Sequence, residues 1–231
     1  MKIFPEQAAP LFAAAIRSAA RGEDLIGVGG RLDETTLLTG YRLGLFPMGV
    51  GVYGAPPLGW WSPDPRGVLL PGRLRVSRSL RRSMRSFDIR IDTAFGQVVD
   101  GCADPQRQGR WITPAVRAAY GQLFDHGWAH SVEAWQDGQL VGGLYGVAIG
   151  GLFAGESMFH RVRDASKVAL VALASIVFAD GHRARVIDAQ WQTPHLASLG
   201  VVEIPREAYL GLLAQAQRLP VPPLLLAGSS G

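Results

Sequence analysis

Three polar side chains that could do chemistry lie at the ends of apolar segments: Glu156, Asp188 and Gln190. A carboxylate can bind a cation or take up a proton, and a side-chain amide can donate a hydrogen bond to a substrate oxygen. Glu156 follows a glycine-rich segment, and glycine lets a ligand come close to the backbone. Asp188 and Gln190 alternate along a strand-like run, so both should lie on one face. From the residues alone, this pair is either a structural hydrogen-bond network or part of a functional site.

Other sites that such residues often build are incomplete in this sequence. Ser157 stands in Gly155–Phe159, which lacks the last glycine of a nucleophile elbow. His126 and His130 have the helical spacing of metal ligands, but Gly127 lies between them and no acidic motif flanks them. We therefore expect neither a serine nucleophile nor a bound metal.

Cofactor motifs are incomplete as well. The early glycines do not complete a dinucleotide fingerprint, and no phosphate-binding loop with Gly-Lys-Ser/Thr occurs. The segment Arg161–Ala165, ahead of the longest apolar helix pattern, has no glycine with which to cradle the pyrophosphate of coenzyme A. No cofactor is therefore expected. His195 is predicted to pack or cap rather than to catalyse.

The composition fits a globular protein with one large domain, or a medium domain and a small one, since 231 residues are 48% apolar with a net charge of +4. The single cysteine, Cys102, excludes a disulfide framework and fits a reducing compartment. The longest apolar run, Val168–Ala179, is shorter than the ~20 residues that span a bilayer. We expect a cytoplasmic protein without membrane contact, and a monomer.

Arginines are concentrated in one segment and form the set Arg73, Arg75, Arg78, Arg81, Arg82, Arg85 and Arg90. Leu80, Met84 and Phe87 recur there at helical spacing, which predicts one apolar helix face, and Ser77 or Ser79 can cap the helix. The arginines then project from the other sides. The planar guanidinium suits phosphate, but a solvated helix face and a polyanion contact are equal alternatives at this point.

Three parts are predicted along the chain: a small N-terminal domain (1–70), a larger domain (71–218) and a flexible C-terminal tail (219–231). A helix is predicted over 33–44. The region 47–72, rich in Gly and Pro, is predicted as a loop at the domain edge, where its aromatic residues could fill the seam between the domains.

The remaining elements predict an α+β fold with a mixed sheet and flanking helices. The predicted helices are 93–102, 113–125, 165–181, 194–199 and 205–217, and the predicted strands are 129–135, 140–148, 152–157, 185–189 and 201–204. Asp164 is predicted to cap the long apolar helix, and Gly181 to close it. The order of hairpin, helix and strand resembles the core of GNAT-type acyltransferases.

Many ordered strings together resemble the leucyl/phenylalanyl-tRNA–protein transferase family over residues 25–212. They are Leu25–Gly30, Gly44–Pro47, Gly59–Arg66, Ser77–Leu80, Ala94–Val98, Trp111–Thr113, Ala129–Glu133, Val141–Val147, Gly155–Phe159, Ala165–Lys167, Ile187–Gln190 and Ser198–Gly200. The resemblance implies a small N-terminal domain on a GNAT-like domain. It implies transfer of Leu, Phe or, less well, Met from aminoacyl-tRNA to the N-terminal Arg or Lys of a protein, which marks the product for degradation by the bacterial N-degron route.

The resemblance also implies roles for individual residues. Asp188 is the implied base or proton relay for the attacking α-amine, Gln190 orients the amine or the carbonyl, and Glu156 pairs with the cationic side chain of the acceptor. The implied substrate-binding residues are Trp60, Trp61, Trp111, Tyr120, Leu144, Phe153, Met158 and Leu170, with the tryptophans as candidates to stack on the terminal adenine or to close the site. The implied tRNA-binding residues are the arginines from Arg73 to Arg85, acting on phosphates of the acceptor stem.

Three positions depart from the family pattern: Met48, His160 and Asp164 stand where the family usually has Trp, Ser and Asn. None of them removes Glu156 or the pair on the later strand, so activity is expected. Two rival functions remain, namely a GNAT enzyme that uses acetyl-coenzyme A and a tRNA-binding protein without catalysis.

Overall fold

The chain folds into two mixed sheets flanked by helices. The computed structural model describes residues 2–107, 109–223 and 225. Within these residues the strands are β1 (Lys2–Phe4), β2 (Leu25–Gly29), β3 (Phe46–Gly49), β4 (Leu58–Trp61), β5 (Arg66–Leu69), β6 (Asp88–Ile91), β7 (Ala129–Gln136), β8 (Gln139–Ile149), β9 (Leu152–His160), β10 (Val186–Gln190) and β11 (Val202–Ile204). The helices are α1 (Ala9–Arg17), α2 (Glu34–Arg42), α3 (Arg78–Ser83), α4 (Phe95–Cys102), α5 (Pro114–Asp125), α6 (Ala165–Val177), α7 (Pro194–Ser198) and α8 (Arg206–Ala216).

The smaller sheet has four strands in the order β1-β2-β4-β3 and packs against α1 and α2. Its core is aromatic: Phe12, Tyr41 and Trp60 are each at most 2% exposed. The prediction of a loop over 47–72 is therefore wrong, because this region contains β3, β4 and β5. Strands of four residues are too short to show an alternating pattern, and Pro47 is tolerated because β3 is an edge strand.

The larger sheet has seven strands in the order β11-β5-β10-β9-β8-β7-β6, in which only β9 and β10 pair in parallel. Helix α6 covers one face, where Leu144 packs among its apolar side chains. Helices α4 and α5 cover the other face around Tyr145. Leu144 and Tyr145 are neighbours on β8 and so lie on opposite faces of the sheet, both of which are covered by helices. The observed fold is therefore the predicted α+β class, with a mixed sheet and flanking helices.

Most of the helices and strands predicted from residue 93 onwards are confirmed to within a few residues. Ser77 accepts a hydrogen bond from the Leu80 N–H at 3.1 Å and so caps α3, as predicted. The predicted cap of α6 is wrong: Asp164 has φ 68° and its carboxylate faces Lys167 at 3.1 Å instead of the helix N–H groups. Helix α6 also ends at Val177 rather than near residue 181. Strand β6 was not predicted, although its four residues alternate between polar and apolar, because so short a run is not distinctive.

The change from one sheet to the other occurs between Trp61 and Arg66, a few residues ahead of the predicted boundary at residue 70. Strand β5 pairs with β10 and β11, so it belongs to the larger sheet. Of the predicted tail, residues 224 and 226–231 lie outside the described residues, whereas Leu225 is fully buried beside α6. Within the described part of the chain, no helix is both long enough and apolar enough to cross a membrane.

Candidate active site

A cavity opens where β9 and β10 part. The two parallel strands pair only over Leu152–Ala154 and Val186–Asp188, after which β9 continues along β8 alone. The opening holds a cavity of about 280 Å³. Its lining is mostly apolar with a few polar groups: Leu69, Arg107, Leu144, Gly155, Glu156, Ser157, Met158, Leu170, Leu173, Ile187, Asp188, Ala189, Gln190, Thr193, His195, Leu196 and Val201. Such a composition is typical of a small-molecule site.

Glu156 is held at this cavity by two tyrosines from different parts of the fold. The Tyr41 hydroxyl donates to Oε1 at 2.7 Å and the Tyr120 hydroxyl donates to Oε2 at 2.8 Å, and the two hydroxyls also contact each other. Burial raises the pKa of Glu156 to about 7, although the tyrosine hydrogen bonds act in the opposite direction. Glu156 can therefore change its charge near neutral pH. Tyr120 reaches the site through Glu156 and does not line the cavity.

Asp188 is fully occupied by a buried ion pair. Arg66 donates from Nε to Oδ1 at 2.8 Å and from Nη2 to Oδ2 at 2.6 Å, and both side chains are 1% exposed. Tyr209 donates to Oδ2 at 2.8 Å, and the Gln190 N–H donates to Oδ1 at 3.0 Å. These four hydrogen bonds use the acceptor positions of the carboxylate. Sequence reasoning did not identify Arg66, because its segment was predicted as loop and its partner is 122 residues away.

Gln190 is held in an unusual backbone conformation at the end of β10. Its φ is 57°, in the left-handed region, and the pairing of β10 with β5 is irregular between Asp188 and Gln190. Such an irregularity redirects a side chain, and here Gln190 lines the cavity. Its Nε2 is buried without a hydrogen-bond partner among the described residues. An unpaired buried donor next to a cavity indicates a place for an acceptor atom of a ligand.

The apolar residues inferred from the sequence divide into two groups. Leu144, Met158 and Leu170 line the cavity, whereas Phe153 is fully buried in the core and does not. Sequence reasoning missed several further apolar lining residues, namely Leu69, Leu173, Ile187, Leu196 and Val201. No pattern within a single segment could have identified these residues, because four separate elements and the residue ahead of β11 bring them together.

The three tryptophans have different surroundings. Trp60 is fully buried, and its indole N–H donates to the Gly29 carbonyl at 2.9 Å, so it is a core residue that cannot stack on a base without leaving the smaller sheet. Trp61 and Trp111 are partly buried, and neither lines the cavity. A role of these two in binding adenine stays a prediction.

The arginine set is exposed as the helix pattern predicted. Arg78, Arg81, Arg82 and Arg85 surround a surface depression of about 280 Å³, and Arg75 lines another cavity nearby. By contrast, His126 and His130 contact separate carboxylates, those of Glu34 and Asp92.

His195 lies on α7 and lines the central cavity. It is partly buried, and this burial, followed by the charges of Lys167 and His160, lowers its pKa. The prediction that His195 packs or caps rather than catalyses did not place it beside a cavity.

Comparisons with known proteins agree with one another. The family model described as leucyl/phenylalanyl-tRNA protein transferase matches residues 68–214, and the model of its N-terminal domain matches residues 30–64. The chain is 49% identical to the leucyl/phenylalanyl-tRNA–protein transferase of Azoarcus sp. over 204 residues, covering 87% of this chain and 85% of that protein. It is 50% identical to the protein of the same name from Thiobacillus denitrificans over 200 residues, covering 85% of this chain and 86% of that protein.

A solved structure, the C-terminal domain of a putative lysylphosphatidylglycerol synthetase from Agrobacterium fabrum, is similar with a TM-score of 0.40 and 12% identity, over 94% of this chain and 69% of that one. This likeness is too distant to establish a shared fold. The match of the catalytic-domain model to more than half of the chain, together with relatives about 50% identical over most of its length, shows the relationship. The chain belongs to the leucyl/phenylalanyl-tRNA protein transferase family and is an aminoacyltransferase.

Proposed function

We propose that the protein transfers Leu or Phe, and less readily Met, from aminoacyl-tRNA to the N-terminal Arg or Lys of acceptor proteins. The observation that carries the proposal is that one cavity combines an apolar wall with Glu156 and with the Gln190 amide, which is unpaired among the described residues. The apolar wall suits a donor side chain, and the carboxylate suits a cation. We propose that the product is marked for N-degron degradation, and that the enzyme acts as a cytoplasmic monomer without a cofactor.

The reaction is aminolysis of an ester. The α-nitrogen of the acceptor forms a bond to the carbonyl carbon, the bond to the ribose oxygen breaks, and the nitrogen's proton passes to that oxygen through solvent or a nearby group. An α-amine has an unperturbed pKa near ~7.7–8.0, so it needs little help to be neutral. Holding amine and ester together supplies much of the rate, and the Gln190 amide can donate to the carbonyl oxygen as negative charge develops there.

For Asp188 the contacts favour positioning over proton abstraction. A general base needs a free lone pair within reach of the proton it takes, and the four hydrogen bonds to Asp188 use its acceptor positions. Its bond to the Gln190 N–H instead fixes the backbone that aims the amide. We propose that Asp188 acts through Gln190.

We further propose that the larger sheet is a GNAT-like acyltransferase domain, with a small N-terminal domain ahead of it. The parting of β9 and β10 with α6 between them in sequence supports this, since ligands of such sheets bind beyond the carboxyl ends of the strands. Trp61 and Trp111 are proposed to contact the terminal adenosine. The exposed arginines from Arg73 to Arg85 are proposed to hold the acceptor stem by its phosphates.

The proposal is tested by a transfer assay with Phe-tRNA, Leu-tRNA and a peptide that begins with Arg. We expect the peptide to gain the mass of one Phe or Leu residue, and a peptide that begins with a neutral residue to react much more slowly. Acetyl-coenzyme A serves as the competing donor. Acetylation of the peptide, or tRNA binding without transfer, would overturn the proposed function.

We expect the acceptor preference to depend on the charge of Glu156. Because burial raises the pKa of this carboxyl to about 7, it loses its charge as the pH falls through that value. The kcat/KM for a peptide that begins with Arg should therefore rise with pH through about 7, beyond the rise caused by its α-amine. Glu156→Gln should remove this additional rise and lower the preference for Arg over a neutral residue by about tenfold or more.

Two controls isolate this effect. A peptide that begins with a neutral residue has the same α-amine ionisation but no cation for Glu156. Glu203→Gln changes the same charge at an exposed position on β11 and should leave the profile unchanged. An unchanged pH profile and unchanged preference in Glu156→Gln would show that this carboxylate does not select the acceptor.

A further inference from the structure

A second cavity adjoins the central one and is unusually basic. It has a volume of about 470 Å³ and is lined by His160, Arg161, Arg163, Asp164, Ser166, Lys167 and His195. His195 lines both cavities, so the two cavities adjoin at this residue. Most of these side chains lie in the turn between β9 and α6 or in the first turn of α6.

A third cavity continues from the second. It has a volume of about 210 Å³ and shares Arg163, Asp164 and Lys167 with the second cavity. Its other lining residues include Arg75 and the hydroxyls of Ser77 and Ser79, which stand where α3 begins. The arginines of α3 follow directly. The second and third cavities are therefore neighbours, and together we call them the basic groove, which extends from the central cavity towards the start of α3.

Cations outnumber anions in the basic groove. Four side chains carry a permanent positive charge, namely Arg75, Arg161, Arg163 and Lys167, against the single carboxylate of Asp164. Asp164 lies 3.1 Å from Lys167 and 3.8 Å from Arg163, whose side chain is 90% exposed. The serine hydroxyls add neutral donors, which together with Arg and Lys are the groups that bind phosphate oxygens.

The position of the groove limits what can occupy it. A donor amino acid in the central cavity is esterified to a terminal nucleoside, so the next phosphates must lie within a few ångströms of the cavity mouth. The basic groove is a cationic surface that borders the central cavity on the side of His195. A paired stem is too wide to follow a strand into a cavity of this size, whereas an unpaired strand can bring its phosphates through the groove.

We propose that the basic groove binds the phosphodiesters of the unpaired 3′ end of the donor tRNA, with Arg163 and Lys167 as its central contacts. This inference rests on the proposed function. It extends phosphate binding from α3, where the paired acceptor stem lies, to the cavity where the ester reacts. The groove thus sets the distance between stem and ester, and it contributes affinity without reading the sequence of the stem.

The test compares three donors of decreasing length with a saturating peptide that begins with Arg. The donors are Phe-tRNA, a phenylalanylated CCA trinucleotide, which keeps internucleotide phosphates but no stem, and 3′-phenylalanyl adenosine, which has no phosphate. The groove variant is Arg163→Gln with Lys167→Gln. The helix variant is Arg81→Gln with Arg82→Gln, and the control is Arg17→Gln with Arg31→Gln, two exposed positions of the N-terminal region.

We expect the groove variant to raise KM about tenfold for Phe-tRNA and for the trinucleotide, with kcat/KM for 3′-phenylalanyl adenosine within about twofold of the unmodified protein. The helix variant should raise KM for Phe-tRNA alone, and the control should change none of the three. The salt dependence of trinucleotide binding should also weaken in the groove variant, by roughly 0.7 in logarithmic slope for each lost phosphate contact.

The outcomes separate the two proposals. No transfer by the unmodified protein from any donor would overturn the proposed function. Transfer with equal KM values in the groove variant and the unmodified protein would overturn the groove proposal alone. An equal loss with the phosphate-free donor would show a structural effect, and a changed preference for acceptors with acidic residues would show that the groove holds the acceptor. Either of these last two results would overturn the groove proposal.

Discussion

Replacing Arg66 by Met is expected to lower the free energy of unfolding by about 3–5 kcal/mol. The change leaves the Asp188 carboxylate buried without its cation, since both side chains are 1% exposed. It also removes the hydrogen bond from Arg66 to the Gly44 carbonyl, at 3.2 Å, which joins the end of α2 to the larger sheet. Chemical denaturation of the purified variant, followed by circular dichroism, measures the loss.

The effect of the unpaired Asp188 charge can be separated from the effect of lost packing around the Arg66 guanidinium, which stacks on Tyr209 at 4.5 Å and Phe46 at 5.1 Å. In the double variant Arg66→Met with Asp188→Leu, no buried charge remains, so most of the stability should return although transfer activity does not. Arg117→Met is the matched control, because Arg117 and Asp100 form the same kind of pair with 53% and 54% of their side chains exposed. It should cost less than about 1 kcal/mol.

A small loss in Arg66→Met, comparable to that of the control, would contradict the view that the buried pair organises the site. Failure of the double variant to regain stability would assign the loss to packing on the two aromatic rings or to the Tyr209 hydroxyl and the Gln190 N–H, which Asp188→Leu leaves without their acceptor. In the proposed mechanism, the pair holds the strand that presents Gln190 to the substrate.

The parts of the site that the sequence predicted are those carried by single segments. Glu156, Asp188 and Gln190 line one cavity together with Leu144, Met158 and Leu170, and they stand in strings that identify the family. The start of α3 was predictable because capping is local, as at Ser77. Asp164 shows the limit of this reasoning, since the residue type suited a cap but its backbone turned to φ 68°.

The parts that could not be predicted depend on partners far apart along the chain. Tyr41 reaches Glu156 across 115 residues, and Arg66 reaches Asp188 across 122 residues. Nothing near Tyr41 or Arg66 signals these contacts. Trp60 stood in the most recognisable string of the first half, yet it is fully buried in the core. A recognisable string therefore identifies the family without deciding which of its residues contact the substrate.

Removal of the Gln190 amide is expected to lower kcat for transfer by about 10²–10³-fold, which is the usual cost of losing one hydrogen-bond donor to a developing oxyanion. The Nε2 donor is buried and unpaired among the described residues, so an oxygen of the ligand is its natural partner. Gln190→Ala removes the amide and keeps a Cβ. Single-turnover transfer from Phe-tRNA, with both substrates saturating, measures the chemical step without substrate binding.

The backbone of Gln190 supplies an internal control, because its φ of 57° is costly for residues with a Cβ and free for glycine. Gln190→Gly should be more stable than Gln190→Ala by about 1 kcal/mol. If the amide itself acts, both variants should lose transfer equally despite this difference in stability. A loss that follows stability, or near-normal turnover in either variant, would show that Gln190 only shapes the end of β10. Asp188→Asn completes the comparison, assayed under conditions in which it stays folded although Arg66 loses its anion. A positioning role predicts that it keeps more activity than either variant, because the new amide oxygen can still accept from the Gln190 N–H, whereas a true base predicts that it keeps less.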